Sequence, residues 1–253
     1  MNTSSDDHAL QFMTQVYPES QFGGYSRVDG TVEYYNRVQA ILKPTDTLLD
    51  VGCGRGCRRE DPCEFRKNVQ NLRNKCSRII GIDVDPAGAD NPWIHEFRLI
   101  TDLDHWPVEK ESIDVVFTDC VLEHVESPSL FFSECHRVLK PNGILCIRTP
   151  NFWGYVGLIA NCIPNRFHAR ITGMVQHERS TEDVFPTFYR CNTRSRLKRD
   201  LARSGFSSAI YLKEAEPSYF VFSPILFRVM AHIHAILPST FRSTILAFAR
   251  KTP

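Results

Sequence analysis

The chain has 253 residues, 42% of them hydrophobic and 23% charged, with a formal net charge of +1. That length suits one full α/β domain with modest additions and is short for two large ones. The near-neutral charge carries no signature of a polyanionic partner, so no nucleic acid is expected. Nine cysteines spread from Cys53 to Cys191 include no C-x-x-C pair. This spacing predicts reduced thiols in a cytoplasmic protein and no metal centre. The polar, acidic start MNTSSDDHALQF lacks the basic and apolar regions of a secretory signal. No run of about 18 uncharged apolar residues predicts a spanning helix.

Residues 1–30 read as an irregular arm broken by Gly23, Gly24 and Gly30. Thr31 is the expected cap of a helix over Val32–Leu42, ended by Lys43-Pro44. Short apolar runs then alternate with helical segments. Strands are predicted at Thr47–Val51, Ser77–Asp83, Phe97–Ile100, Ile113–Thr118 and Ile144–Arg148. Near-continuous β-branched runs suit strands buried on both faces. Ser127 and Pro128 open a helix that reaches about Leu139, closed by the turn Pro141-Asn142-Gly143. A later helix over Thr193–Ser204 takes Asn192 as its cap and stops at Gly205. Ser208–Leu212 and Tyr219–Phe222 are the expected sixth and seventh strands, and Pro224–Leu237 a helix capped by Ser223. The alternation predicts an α/β, Rossmann-like, doubly wound and mostly parallel seven-stranded sheet with helices on both faces.

The segment LLDVGCGRG sets Gly52, Gly54 and Gly56 directly after the first strand. Glycines there let a ligand approach the backbone without a Cβ collision. The pattern is G-x-G-x-G, with Cys57 where a dinucleotide fingerprint needs its third glycine. An NAD-dependent oxidoreductase is disfavoured on that ground, and no P-loop is present. Asp83 ends the second strand, where it can accept both hydroxyls of a ribose or cap the turn into Asp85-Pro86. Asp102-Leu103 follows the third strand and can bracket an adenine or form a surface turn.

LLDVGCGRG, GIDVD, TDLDHWP, SIDVVFTDCVLEHV and RVLKPNGILCIRTPN, in that order, resemble the class I S-adenosylmethionine-dependent methyltransferases. The likeness is to the type 11 subgroup that includes ubiquinone- and menaquinone-biosynthesis enzymes, and it covers about residues 47–151, with a fainter match over 192–213. The resemblance implies S-adenosyl-L-methionine as cofactor. It implies that Gly52 and Gly54 pass its methionine part, with Asp50, Cys53 and Gly56 in the same cofactor-binding set. It further implies that Asp83 holds the ribose, Val84 lies on the adenine, and Asp102 and Leu103 flank that ring. Asp119 would stand near the methionine amino group, a position often held by a smaller residue in that family. Arg27 in the arm is the expected partner of the methionine carboxylate. One departure is visible. Cys57–Glu60 separates the glycine loop from Asp61-Pro62-Cys63-Glu64, which looks like a late helix start. Either the loop bulges or a short turn precedes the main helix.

Glu123 and His124 follow the fourth strand and are the candidate catalytic pair. His124 is either a general base or a hydrogen-bonding support for its loop. Residues 151–191 form the expected substrate or lid insertion. Phe152, Trp153, Arg166, His168, Arg170 and Arg190 are its candidate acceptor contacts. Nine Arg and Lys against four acids between Arg166 and Arg203 suggest an anionic acceptor group or a lipid surface, with a solvated helix face as the alternative. The domain is thus read as 31–222, preceded by the arm and followed by a helical tail over 223–253. In that tail Arg228 and His232 share one face of an apolar helix. The helix suits a core or dimer contact, or peripheral contact through 223–250 with the inner face of a membrane.

The expected activity is methyl transfer to an O, C or N atom of a small molecule, lipid-linked or glycan-related acceptors included. Methylation of RNA or protein is the alternative, lowered because Thr118-Asp119-Cys120-Val121 replaces an N/D-P-P-Y/F motif. A non-catalytic binding module is the third reading. A monomer or a homodimer is expected.

Overall fold

A computed structural model describes residues 13–155, 157–158 and 185–252. Seven strands form one sheet in the order β3-β2-β1-β4-β5-β7-β6. They are β1 (Thr47–Val51), β2 (Arg78–Asp83), β3 (Glu96–Leu99), β4 (Ile113–Asp119), β5 (Leu139–Pro150), β6 (Phe206–Lys213) and β7 (Thr244–Lys251). β7 runs antiparallel to both β5 and β6, and every other neighbouring pair is parallel. The order reverses between β1 and β4, the switch point where open α/β sheets leave a crevice.

Alternate side chains of the central strands feed two separate cores. Leu49, Val51, Ile80, Ile82, Val116 and Leu145 face one layer. That layer holds α3 (Pro128–Val138) and α4 (Arg194–Arg203), through Phe131, Phe132, Val138, Leu197 and Leu201. Leu48, Ile79, Val115, Phe117 and Cys146 face the other. There α1 (Gly30–Ile41) contributes Tyr34, Tyr35 and Val38. α2 (Glu64–Gln70) packs beside α1. The doubly wound architecture expected from the sequence is therefore present.

Several local expectations are corrected. Asp29, not Thr31, caps α1, because its Oδ1 accepts from the Thr31 and Val32 N–H groups at 2.8 and 2.9 Å. Thr193, not Asn192, caps α4 through its hydroxyl and the Arg196 N–H. Asn192 is instead buried and bonds Thr149. Pro141-Asn142-Gly143 lies within β5, where the register shifts and Asn142 takes φ 63°. Tyr219–Phe222 is not a strand, since Ser218–Phe220 forms a 3-10 turn. The seventh strand is TILAFARK, inside the expected helical tail. It is paired on both edges. The sheet therefore extends past the expected boundary at 222 to Lys251.

Between β6 and β7 the chain makes α5 (Pro224–Ile236), capped by Ser223. Phe227 and Ala231 of α5 pack on Tyr17 of the arm. Ile225, Val229 and Ile236 remain exposed, with Phe222 beside them in sequence. No described helix is long and apolar enough to cross a membrane.

Candidate active site

Beyond Val51 the chain leaves β1 through Gly52, Gly54 and Gly56, with φ of 72°, 51° and 76°. L side chains rarely adopt these values. A Cβ on Gly52 would also meet Val121 Cγ2 at 2.4 Å. Gly54 differs, because a Cβ there would have nothing within 4 Å and so would project into open space. The loop is pinned from β2. Asp83 Oδ2 accepts from the Gly54 N–H at 2.8 Å, and Asp83 Oδ1 accepts from Asp85 N–H at 3.0 Å. The Asn91 amide donates to the Cys53 carbonyl at 2.9 Å. The Cys53 side chain is buried and packs at Gly81, so it supports the loop from inside. Cys57–Glu60 forms a 3-10 turn before α2 opens at Glu64 with Cys63 as cap. Of the two geometries left open by the sequence, the short preceding turn is the one found.

Four charges converge at the carboxyl ends of β1 and β4. Arg148 of β5 grips Asp119 with two bonds, Nε to Oδ1 at 2.5 Å and Nη2 to Oδ2 at 2.8 Å. The Tyr35 hydroxyl donates to the same carboxylate at 2.9 Å. Burial opposes the charge on Asp119, yet Arg148 and Arg58 hold its carboxyl below the usual range. Arg58, from the 3-10 turn, reaches Asp50 Oδ2 at 3.3 Å and lies 3.8 Å from Asp119 Oδ2. Its guanidinium sits over Phe117 at 5.3 Å. Asp50 is less well served. Burial pushes its carboxyl up to about 6, against the pull of Arg58. Its Oδ1 is buried without a hydrogen-bond partner. Asp119 is thus saturated by Arg148 and Tyr35, whereas Asp50 keeps one oxygen open. Arg58 and Arg148 were not anticipated, and the run Cys57-Arg58-Arg59 beside the glycine loop was the available signal.

At the next strand tips, Val84 is 49% exposed and Leu103 65% exposed. They follow β2 and β3, which pair up to Asp83 and Leu99. Bare aliphatic side chains in the segments that follow these two strands suit the faces of a flat aromatic base. Asp102 is exposed, and its Oδ1 accepts from Asp104 N–H at 2.9 Å, so it shapes its own turn.

Past β4, Cys120 takes φ 58°, a strained value for a side-chain-bearing residue. The 3-10 turn Leu122–His124 follows. Glu123 is buried and accepts from the Thr149 hydroxyl at 3.0 Å. Burial raises its carboxyl, with His124 and the Thr149 bond acting in the opposite direction. His124 Nδ1 lies 2.8 Å from the Pro186 carbonyl oxygen. A carbonyl only accepts, so Nδ1 carries the proton and Nε2 is the acceptor. One ring nitrogen therefore does the loop-supporting work while the other retains the lone pair a base needs.

The remaining candidates divide. Phe152 and Trp153 pack edge to face at 5.0 Å beyond β5, and Trp153 is 46% exposed. Arg27 does not join the glycine loop. It pairs with Glu19 at 3.0 Å and lies over Tyr17, beside α5. Arg190 is exposed in a surface dip with Glu126, Arg196 and Arg203, against α3 and α4. Arg166, His168 and Arg170 lie outside the described residues.

A family model described as "Methyltransferase domain" matches residues 49–147, the span that holds this crevice. Residues 49–147 are thus similar to a methyltransferase domain. Among its relatives, a probable S-adenosylmethionine-dependent methyltransferase of Mycolicibacterium smegmatis is 31% identical over 109 residues, 41% of this chain and 38% of that protein. A ubiquinone biosynthesis O-methyltransferase of Bartonella tribocorum is 28% identical over 134 residues, 48% of this chain and 50% of the relative. The match thus spans half or less of each of these relatives. A geranyl diphosphate C-methyltransferase from Streptomyces coelicolor, solved with S-adenosyl-L-homocysteine, superposes with TM-score 0.54 at 17% identity, covering 87% of this chain and 75% of that one. At that identity the likeness shows the fold alone.

Proposed function

We propose that this protein is an S-adenosylmethionine-dependent methyltransferase acting on a small-molecule acceptor. The observation that carries the reading is the open oxygen of buried Asp50, set beside the vacant side of Gly54 and the Asp83 carboxylate. A buried acceptor left unsatisfied is costly and calls for a donor. The cofactor's ammonium is such a donor and its ribose diol suits Asp83, so the residues present fit the group. When bound, it supplies an electrophilic methyl carbon on a sulfonium.

The chain's own residues then have separable tasks. Asp83 ties the glycine loop through the Gly54 N–H and its own turn through the Asp85 N–H, and retains lone pairs for hydroxyl donors. Val84 and Leu103 offer apolar faces to the base. Arg148 and Tyr35 hold Asp119, which leaves Arg58 free to balance Asp50 or to meet the cofactor carboxylate. His124 Nε2 accepts the proton of an acceptor hydroxyl while Nδ1 stays anchored on Pro186. Holding the two reactants in line supplies about 7–11 kcal/mol of the barrier reduction. Titration calorimetry of the full chain with S-adenosyl-L-homocysteine tests this. One site per chain, and no heat with NAD, is expected; no binding would defeat the proposal.

A second reading concerns location. The exposed stripe Ile225, Val229 and Ile236 with Phe222 supports peripheral contact with a membrane from the cytoplasmic side. Flotation with phosphatidylglycerol vesicles should carry the protein upward, and Ile225→Ser/Ile236→Ser should abolish this. Equal flotation of both proteins would remove the stripe as the contact.

A further inference from the structure

Between the N-terminal arm and α5 lies a cleft of about 630 Å³. Arg27, Lys213, Arg228 and Arg242 line it, and Glu214 is the acid among its lining residues. Only Arg27 has a carboxylate partner among the described residues, Glu19. Lys213 donates to the Arg27 carbonyl at 3.3 Å, Arg242 to the Leu212 carbonyl at 3.1 Å, and Arg228 to the Gln15 amide oxygen. The hydrogen bonds of these three cations therefore all go to neutral acceptors, Lys213 also lying near the Glu33 carboxylate, and one acid stands in the wall to offset them.

The cleft also contains an unsatisfied buried side chain. His234 is only 6% exposed, and neither ring nitrogen makes a hydrogen bond among the described residues. Glu214 Oε1 is 3.4 Å from Nδ1, within ion-pair range, and Glu214 Oε2 is buried without a partner. Tyr155 covers one face of the ring at 4.8 Å. A buried imidazole without a hydrogen bond and three cations hydrogen-bonded to neutral acceptors around one cavity form an arrangement that suits an anion with several acceptor oxygens.

We propose that this cleft binds the phosphate or diphosphate group of the methyl acceptor. Two facts favour that class. Guanidinium forks match phosphate oxygens in pairs, and two of these three cations are arginines. The cavity also exceeds the volume of the anion itself, which leaves room for part of the attached body. Its position is suitable. Lys213 ends β6 and Arg242 lies two residues before β7, at the same end of the sheet where Pro150, Asp119 and the glycine loop emerge. The inference rests on the methyltransferase reading for its purpose, though not for the existence of the site.

Calorimetry of the full chain with inorganic pyrophosphate tests the site, with S-adenosyl-L-homocysteine titrated in parallel. Arg228→Met/Arg242→Met should weaken pyrophosphate at least about tenfold while homocysteine-ligand affinity stays within about twofold. Arg196→Met/Arg199→Met, which removes the same charge from α4, should change neither. Absence of pyrophosphate heat in protein that binds S-adenosyl-L-homocysteine overturns the site. So does equal pyrophosphate affinity in the cleft variant, or equal weakening in the α4 control. Failure to bind S-adenosyl-L-homocysteine overturns the methyltransferase reading instead. Displacement of the protein from phosphatidylglycerol vesicles by pyrophosphate assigns the anion to a lipid headgroup. Pyrophosphate binding without flotation assigns it to a soluble phosphate ester.

Discussion

Asp50 offers a quantitative test, because its environment favours the neutral acid when the crevice is empty. Burial lifts its carboxyl from the ordinary 3.8 to about 6. Between those values the folded chain binds a proton that the unfolded chain has lost. Stability from this group is therefore complete below the unfolded value and is lost as pH rises through 6. A rise of about two units corresponds to about 3 kcal/mol. Asp50→Asn removes the titration and leaves every other group in place. The measurement is urea unfolding of both proteins from pH 4 to pH 8. The advantage of wild type over the variant should shrink by about 2.5 kcal/mol across that range, part of the total being lost already below pH 4, and level off above pH 7. Ligand binding should run the other way, since an ammonium favours the ionised carboxylate. Wild-type affinity for S-adenosyl-L-homocysteine should improve roughly tenfold per unit as pH approaches 6 from below, with a flatter profile in the variant. A stability difference that is constant with pH, or identical pH slopes for binding, would refute the reasoning.

Arg148→Met strips Asp119 of its bidentate partner; breaking a buried pair costs about 3–5 kcal/mol, and thermal melting should drop by roughly 10 °C. A melting point within about 2 °C of wild type would show that Arg58 and Tyr35 suffice. His124→Gln should lower turnover on the true acceptor about a hundredfold with unchanged affinity for S-adenosyl-L-homocysteine, and unchanged turnover would remove it as a base.

The cofactor half of the fold was readable because its strands are β-branched runs between glycines and prolines. Runs such as TLLDV and RIIGID are buried on both faces and have few alternatives as helices. β7 was hidden for a physical reason. ILAFA mixes alanines with apolar residues, a pattern a buried helix also shows, and only its pairing with β5 and β6 decides. The aromatic segment Tyr219–Phe222 misled in the opposite direction, since β-propensity there is overridden by the turn after Pro217.

In the site, Gly52, Gly54 and Asp83 are marked in the sequence by their place at strand ends, and Asp50 only by the family resemblance. The charge network is not marked there. Arg148 lies 29 residues from Asp119 and binds it only because β5 is paired with β4. The Pro186 carbonyl that sets the His124 tautomer is 62 residues away in the chain. The cationic cleft was similarly invisible, because its walls come from the arm, the end of β6, α5 and Arg242 ahead of β7.

The central claim is that Asp83 receives the sugar hydroxyls of an adenosyl ligand lying over Gly54. Comparing S-adenosyl-L-homocysteine binding to wild type and Asp83→Ala by titration calorimetry tests it most directly. Charge-assisted hydrogen bonds of about 1.5–3 kcal/mol each predict a loss of about a hundredfold or more in the variant. Affinity unchanged in a folded Asp83→Ala protein would contradict the account.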